Sequence, residues 1–220
     1  MKVYTQLMSE VHTLIGDVVG SRRLDDRAAA QARIGVVLGE VSTVVRPVQV
    51  LEPTVGDEFQ GAFATLADAA LAALLVRLAL LPAVDVRCGL GHGEVSVHDA
   101  GRRPLLQDGP GWWSAREALD VLSRPRRATE RTWYVGPDAG RVNAFLLTRD
   151  ALVDRLGERG HRLLAAALRG ETQAEIAAAE GISRSAVSQQ FARGVGAVRD
   201  AHRSFAAPAD LTTNPEEERA

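Results

Sequence analysis

Residues 48–63 read VQVLEPTVGDEFQGAF, and this stretch decides the fold. Val48 to Val55 is rich in β-formers, Gly56-Asp57 is the dipeptide of a tight hairpin turn, and Glu58 to Phe63 reads as the returning strand. Two strands joined so closely are antiparallel. A doubly wound parallel sheet, with a helix between each pair of strands, is thereby set aside. On the N-terminal side, His12 to Gly16 (HTLIG) is a brief apolar strand that meets a loop at Gly16-Asp17. Asp25 to Val45 is Ala-rich, with Ile34, Leu38 and Val41 at helical spacing, Asp25 or Asp26 as N-cap and Pro47 as the stop. On the C-terminal side come an apolar helix, Thr65 to Leu81, and then Val84 to Val97, a strand pair or one long Gly-rich strand. A third helix, Pro110 to Leu122, and a short strand, Thr132 to Val135, complete the series.

The order β-α-β-β-α-β, with additions, predicts an α+β chain with a ferredoxin-like sandwich over residues 1–138. After Gly136-Pro137 the pattern is all helical, and residues 139–205 form the second expected unit. Arg141 to Leu156 is its amphipathic connector. Residues 206–220 read as a flexible acidic tail.

The chain has 220 residues with a net charge of -2. That near-balance excludes a strong non-specific polyanion binder. By segment the charge is -1 over residues 1–150, +2 over 151–205 and -3 over 206–220. A mildly basic helical region is thus hidden in the total. The single cysteine, Cys88, excludes an internal disulfide and a Cys-rich zinc site. Leu66 to Val84 is apolar but broken by Asp68, Arg77 and Pro82, so a buried helix is expected there, with no membrane span and a cytoplasmic location.

Within the helical region, Thr172 to Arg193 reads TQAEIAAAEGISRSAVSQQFAR. Thr172 and Glu175 make a capping box, Gly181 supplies a sharp turn, and Ser183 caps the next helix. Ile176, Ile182, Val187 and Phe191 provide the apolar contacts that lock a helix pair. This is the pattern of a helix-turn-helix and makes DNA the expected partner. Arg184, Ser185, Ser188 and Gln189 would face base edges, with Arg193 nearer the phosphates. A helical hairpin used for dimerisation is the competing reading.

In the first unit, two carboxylates stand out: Asp17 at the end of the first strand and Asp57 on the hairpin. The expected sheet makes their positions neighbours, and converging carboxylates are relieved by a cation such as Mg²⁺ that also holds nucleotide phosphates. The plainer readings remain open, since an aspartate after a strand caps a turn and Gly-Asp is a common hairpin pair. Glu58 and Glu94 read as solvated, and the run Arg124, Arg126, Arg127, Arg131 as a solvated loop. Trp112 and Trp113 read as one buried and one rim aromatic.

Three fragments carry a resemblance: Leu14 to Ser21 (LIGDVVGS), Thr54 to Phe59 (TVGDEF) and Val86 to Val95 (VRCGLGHGEV). In this order they look like the catalytic core of class III nucleotide cyclases and, more distantly, of GGDEF-type diguanylate cyclases. The resemblance implies Asp17 and Asp57 as ligands of Mg²⁺ or Mn²⁺, Gly20 and Ser21 as approaching nucleotide phosphates, and Arg116 as a phosphate contact. Two positions depart from the pattern. Pro53 stands where adenylyl cyclases have a purine-reading lysine, and Trp112 where cyclases have a transition-state asparagine, which weighs against cyclisation of ATP. The segment Glu175 to Ser183 resembles the sigma-factor region that reads promoter -35 elements.

Ile15 to Arg22, Gly56 to Gly61, Asp108-Gly109-Pro110 and Ala115 to Ala118 together are similar to the bacterial SatD family, named for secretion and acid tolerance. That family also carries a terminal helix-turn-helix and implies no established reaction. Taken together, the motifs make the chain an expected regulatory protein that binds DNA through its helix-turn-helix, holds a nucleotide with a divalent cation in its cyclase-like domain, and can form a homodimer. The alternative it leaves is a metal-dependent nucleotidyl transferase or cyclase whose helical end serves dimerisation.

Overall fold

A computed structural model describes residues 6–99 and 101–207. Most of the expected acidic tail, residues 208–220, lies outside the described residues. The chain runs β1 (Gln6–Val18), α1 (Arg27–Val45), β2 (Gln49–Pro53), β3 (Glu58–Phe63), α2 (Leu66–Leu80), β4 (Val86–Asp99), β5 (Leu106–Asp108), α3 (Pro110–Leu122) and β6 (Thr132–Val135). Helices α4 (Ala139–Val153), α5 (Glu158–Leu168), α6 (Gln173–Glu180) and α7 (Arg184–Gln190) follow, then a π turn at Phe191–Val195 and α8 (Gly196–Ala206).

The sheet order is β2-β3-β1-β4-β5, all antiparallel, with β6 added parallel to β4. This is the mixed α+β architecture expected from the hairpin. Because side chains alternate along a strand, β1 feeds two cores. Leu14 and Val18 join the cluster with α1 and α2, whereas Val11 and Ile15 pack with Trp112, Ala115 and Leu119 of α3. Trp112 is buried and Trp113 exposed.

Helix α1 is the described helix long and apolar enough to cross a membrane by length and composition. Here Ile34, Val37, Leu38 and Val41 bury one of its faces in the core with α2. Asp26 is its N-cap, accepting from the Ala29 amide at 2.8 Å. Thr65 caps α2 in the same way, accepting from the Asp68 amide at 3.1 Å.

Close approach explains the glycines of β4. A Cβ on Gly89 would lie 2.3 Å from the Ala115 carbonyl oxygen, and one on Gly91 would lie 2.3 Å from the Ala115 amide. Backbone cannot yield as a side chain can, so these two positions let α3 lie directly on the sheet.

One strand reading changes, and another resolves to one of its two alternatives. β1 extends through Asp17 to Val18, because β3 and β4 pair with it up to that end. β4 is one long strand, and its far end pairs with the short β5.

The helices after β6 pack on the rest of the chain. Asn143 of α4 donates to the Tyr134 carbonyl at 2.9 Å and accepts from its amide at 2.8 Å. Buried Arg149 donates to the Ala70 carbonyl, the Asp150 carboxylate and the Thr132 hydroxyl. Leu163, Leu164, Ile176, Val187, Phe191 and Val195 share one core with Leu74 and Leu78 of α2. Arg77, 5% exposed, bridges Asp85 at 2.8 Å and Asp154 at 2.7 Å, pinning α2 to the start of β4 and the end of α4.

Candidate functional site

Asp17 and its two sheet neighbours are the centre of the site. In register, Asp17 lies opposite Glu58 on β3 and Arg87 on β4. Arg87 donates Nε to Asp17 Oδ1 at 2.7 Å and Nη2 to Oδ2 at 2.8 Å, while Nη1 donates to the Leu122 carbonyl at the end of α3. Both partners are largely buried, with side-chain exposures of 25% and 16%. These hydrogen bonds, opposed by partial burial and helped by the charges of Asp17 and Asp57, raise the Arg87 pKa above its usual value. The same surroundings act on Cys88, whose thiol is pushed far up by complete burial and then by Asp17, leaving it unreactive.

Beside this pair sits a second one. Arg116 of α3 donates Nη1 and Nη2 to the two oxygens of Glu58, each at 2.7 Å. The expectation of a solvated Glu58 is corrected: a residue 58 positions along the chain holds it in a two-point bridge. Arg116 feels Asp17 and Asp120 as well, and its pKa is raised by the Glu58 hydrogen bonds first. Two carboxylates, Asp17 and Glu58, are thus each held by a guanidinium.

Asp57 looks the other way. It lines a cleft of about 260 Å³ with Ser21, Arg27, Gln31 and the apolar residues Val18 and Ile34. Gly20, at φ 69°, turns the chain out of β1 into the single 3₁₀ turn Ser21–Arg23, which brings Ser21 to this cleft. Asp57 is therefore shared, through its field on Arg87 and by its place in the cleft. Among the described residues, no cluster of three or more His, Cys, Asp or Glu converges as a metal site.

Sequence reasoning missed Arg87 and Arg27. The signal for Arg87 lies in the Val86 to Val95 fragment, where it stands on the strand paired with Asp17. The solvated arginine loop is also corrected in part. Arg131 bridges Asp85 at 2.7 Å, and Arg127 lies 4.0 Å above the Trp133 ring.

Arg184, Ser185, Ser188, Gln189 and Arg193 are all exposed. The first four lie on α7 and Arg193 in the following π turn. The Thr172–Glu175 capping box forms, Gly181 takes φ 63°, and Ser183 caps α7 by accepting from the Ala186 amide at 3.1 Å. Ile176, Val187 and Phe191 are buried between the helices as their pattern requires.

Among solved structures, the chain is similar to a bacterial light-regulated adenylyl cyclase at 13% identity and a TM-score of 0.44, over 60% of this chain and 44% of that one. It is also similar to the catalytic core of a rhodopsin-guanylyl cyclase with converted specificity in complex with ATPαS, at 15% identity and TM-score 0.43, over 55% of this chain and 76% of that one. A third is the adenylyl cyclase CyaB from P. aeruginosa, at 14% identity and TM-score 0.40, over 55% and 74%. The chain spans less than half the length of the light-regulated cyclase. No curated protein matches it. The SatD family model matches residues 12–127, which include Asp17, Asp57, Glu58, Arg87 and Arg116, and the chain belongs to the SatD family.

Proposed function

We propose that the α/β unit binds the polyphosphate of a nucleotide together with a divalent cation, as a metal-dependent nucleotidyl-transfer domain does. One observation carries the reading: Asp17 is bridged to Arg87, the charge of Asp57 also reaches that guanidinium, and the hairpin bearing Asp57 lines a cleft with Ser21 and Arg27. Arg87 takes one lone pair on each Asp17 oxygen and leaves another on each. In this reading Asp17 and Asp57 would supply part of a shell for Mg²⁺ or Mn²⁺ that phosphate oxygens and water complete. When bound, the cation supplies charge neutralisation for the polyphosphate. Ser21 and the amides after Gly20 would hold phosphate oxygens, Arg27 would add a charge at the cleft, and Arg116 would leave Glu58 to take an anionic oxygen. Trp112 is buried and brings no side-chain amide to a substrate, which favours transfer over cyclisation.

Titration calorimetry with ATP, GTP, CTP and UTP, with and without Mg²⁺ or Mn²⁺, tests this reading. Cation-dependent binding that Asp57→Asn abolishes is expected. Failure of all four nucleotides to bind in the presence of either cation overturns it, and pyrophosphate release separates a transferase from a binding domain.

A second reading assigns α6 and α7 to DNA. It is supported by the capping box, the Gly181 turn and the exposure of Arg184, Ser185, Ser188, Gln189 and Arg193, none of them held by an ion pair among the described residues. In that reading a homodimer presents two copies of α7 to successive major grooves. Polarisation binding to a genomic fragment pool, repeated with Arg184→Ala and Gln189→Ala, tests it. An unchanged profile removes α7 as the reading helix.

A further inference from the structure

A cleft of about 250 Å³ opens where the start of α2, the end of α5 and the last turns of α8 meet. Leu71, Ala167 and Leu168 give it apolar walls, and Arg169, Arg199 and Arg203 bring three guanidinium side chains to it. Arg169 donates Nε and Nη2 to Glu171, and Arg199 donates Nε to Asp200, so both keep N–H donors to spare. The Arg203 carbonyl accepts from the Ala207 amide, its charge adds to the field on Asp200, and its exposed guanidinium has N–H donors to spare. The one carboxylate in the lining, Asp68, accepts from the Thr65 hydroxyl at 2.7 Å and so is turned to its own helix cap. His202 lines the same cleft, is 6% exposed, and its Nε2 has no hydrogen-bond partner.

The geometry points to a binding site for a small organic oxyanion, a carboxylate or phosphate monoester carried on an apolar body. Apolar walls remove the body of such a ligand from water, and guanidinium forks receive its charged end in pairs of N–H bonds. Inorganic phosphate has the charge without the body, and a neutral alcohol has the body without the charge. Because the walls belong to α2 on one side and to α5 and α8 on the other, an occupant touches both and ties the helical end to the sheet-bearing unit.

Titration calorimetry and amide NMR spectra of the full chain, with benzoate, phenyl phosphate, inorganic phosphate and benzyl alcohol as probes, test the site. One or both aromatic anions are expected to bind with one-to-one stoichiometry and to shift amides of residues 196–206 and 66–71. Inorganic phosphate and benzyl alcohol are expected to bind weaker by roughly tenfold or more, about 1.4 kcal/mol. The better aromatic anion identifies the head group. Arg199→Gln and Arg203→Gln are expected to weaken that binding while leaving the remaining amide spectrum in place. The proposal is overturned if neither aromatic anion binds, if inorganic phosphate binds as tightly as they do, or if both Gln variants bind like the parent.

Discussion

Asp17 on β1 and Arg87 on β4 face each other across the ladder and are joined by two parallel hydrogen bonds of 2.7 and 2.8 Å. The bridge performs two jobs at once. It holds the ends of two central strands in register, and it neutralises the carboxylate that a cation would otherwise meet uncompensated. Arg87→Met separates these jobs. Loss of the partner leaves Asp17 partly buried and unpaired, at a cost of about 1–3 kcal/mol, measurable by urea unfolding. Nucleotide-free Mn²⁺ binding, followed by the loss of its free-ion EPR signal, is expected to strengthen several-fold in the same variant. If Mn²⁺ affinity is unchanged, Asp17 is a structural anchor alone.

Gly91→Ala tests the close seat of α3. Its methyl group would collide with the Ala115 amide and the Gly111 carbonyl oxygen, both backbone atoms of that helix. The helix must lift, at a cost of about 1–3 kcal/mol or more. Arg116 rides on α3, so the bridge to Glu58 is expected to break with the shift. Near-UV circular dichroism at the Trp112 band together with urea unfolding checks this, and a variant as stable as the parent with an unchanged band refutes it.

Local signals made part of this legible. Gly56-Asp57 makes a turn by its own chemistry, Pro110 starts α3 with its fixed φ, and Thr172 with Glu175 caps α6, so these elements needed no distant partner to be read. Asp17 is different. Its sequence setting, just after Gly16 and shortly before Gly20-Ser21, reads as the start of a loop, and it stays in the strand through ladder partners 41 and 70 residues on, Glu58 and Arg87. The Glu58–Arg116 bridge is invisible for the same reason. Helix α5 begins at Gly157 with no side-chain cap, and β5 has three residues, too few for an alternating pattern.

Acid sensitivity should arise from two histidines, half-buried His12 and buried His202. Burial, with a smaller push from His92, lowers the His12 pKa to about 4, and burial, with a push from Arg149, lowers that of His202 to about 3. In the unfolded chain both take a proton near their ordinary value of 6.5. Between that pH and the folded values the unfolded chain binds more protons, so stability falls as pH falls through the window and the histidine contribution levels off below about 3. Asp85 adds a further loss at the acid end. Burial alone would raise its pKa, but its bridges to Arg77 and Arg131 win and lower it, so protonation there breaks the bridges. Urea midpoints from pH 7 to pH 4 are expected to decline, and to decline less in His202→Gln. An equal slope in that variant would show that His202 is not among the groups responsible.

Arg116→Ala distinguishes a phosphate contact from a structural tie. The Glu58 bridge is exposed, with side-chain exposures of 44% and 30%, so solvent screens it and the loss of stability should stay within about 1 kcal/mol. Binding is expected to respond much more strongly. An Arg116 that swings from Glu58 to a phosphate exchanges one charge-assisted pair for another, so its cost is small and its removal leaves an anionic oxygen without a partner. Nucleotide affinity in the presence of Mg²⁺ should fall by roughly tenfold, the equivalent of about 1.4 kcal/mol. Glu58→Gln, which frees Arg116 from its bridge, should move affinity in the opposite direction. Two variants that alter the same bridge but change affinity with opposite signs cannot be explained by damage to the fold, whereas a parallel fall in both would assign Arg116 to holding α3 on the sheet.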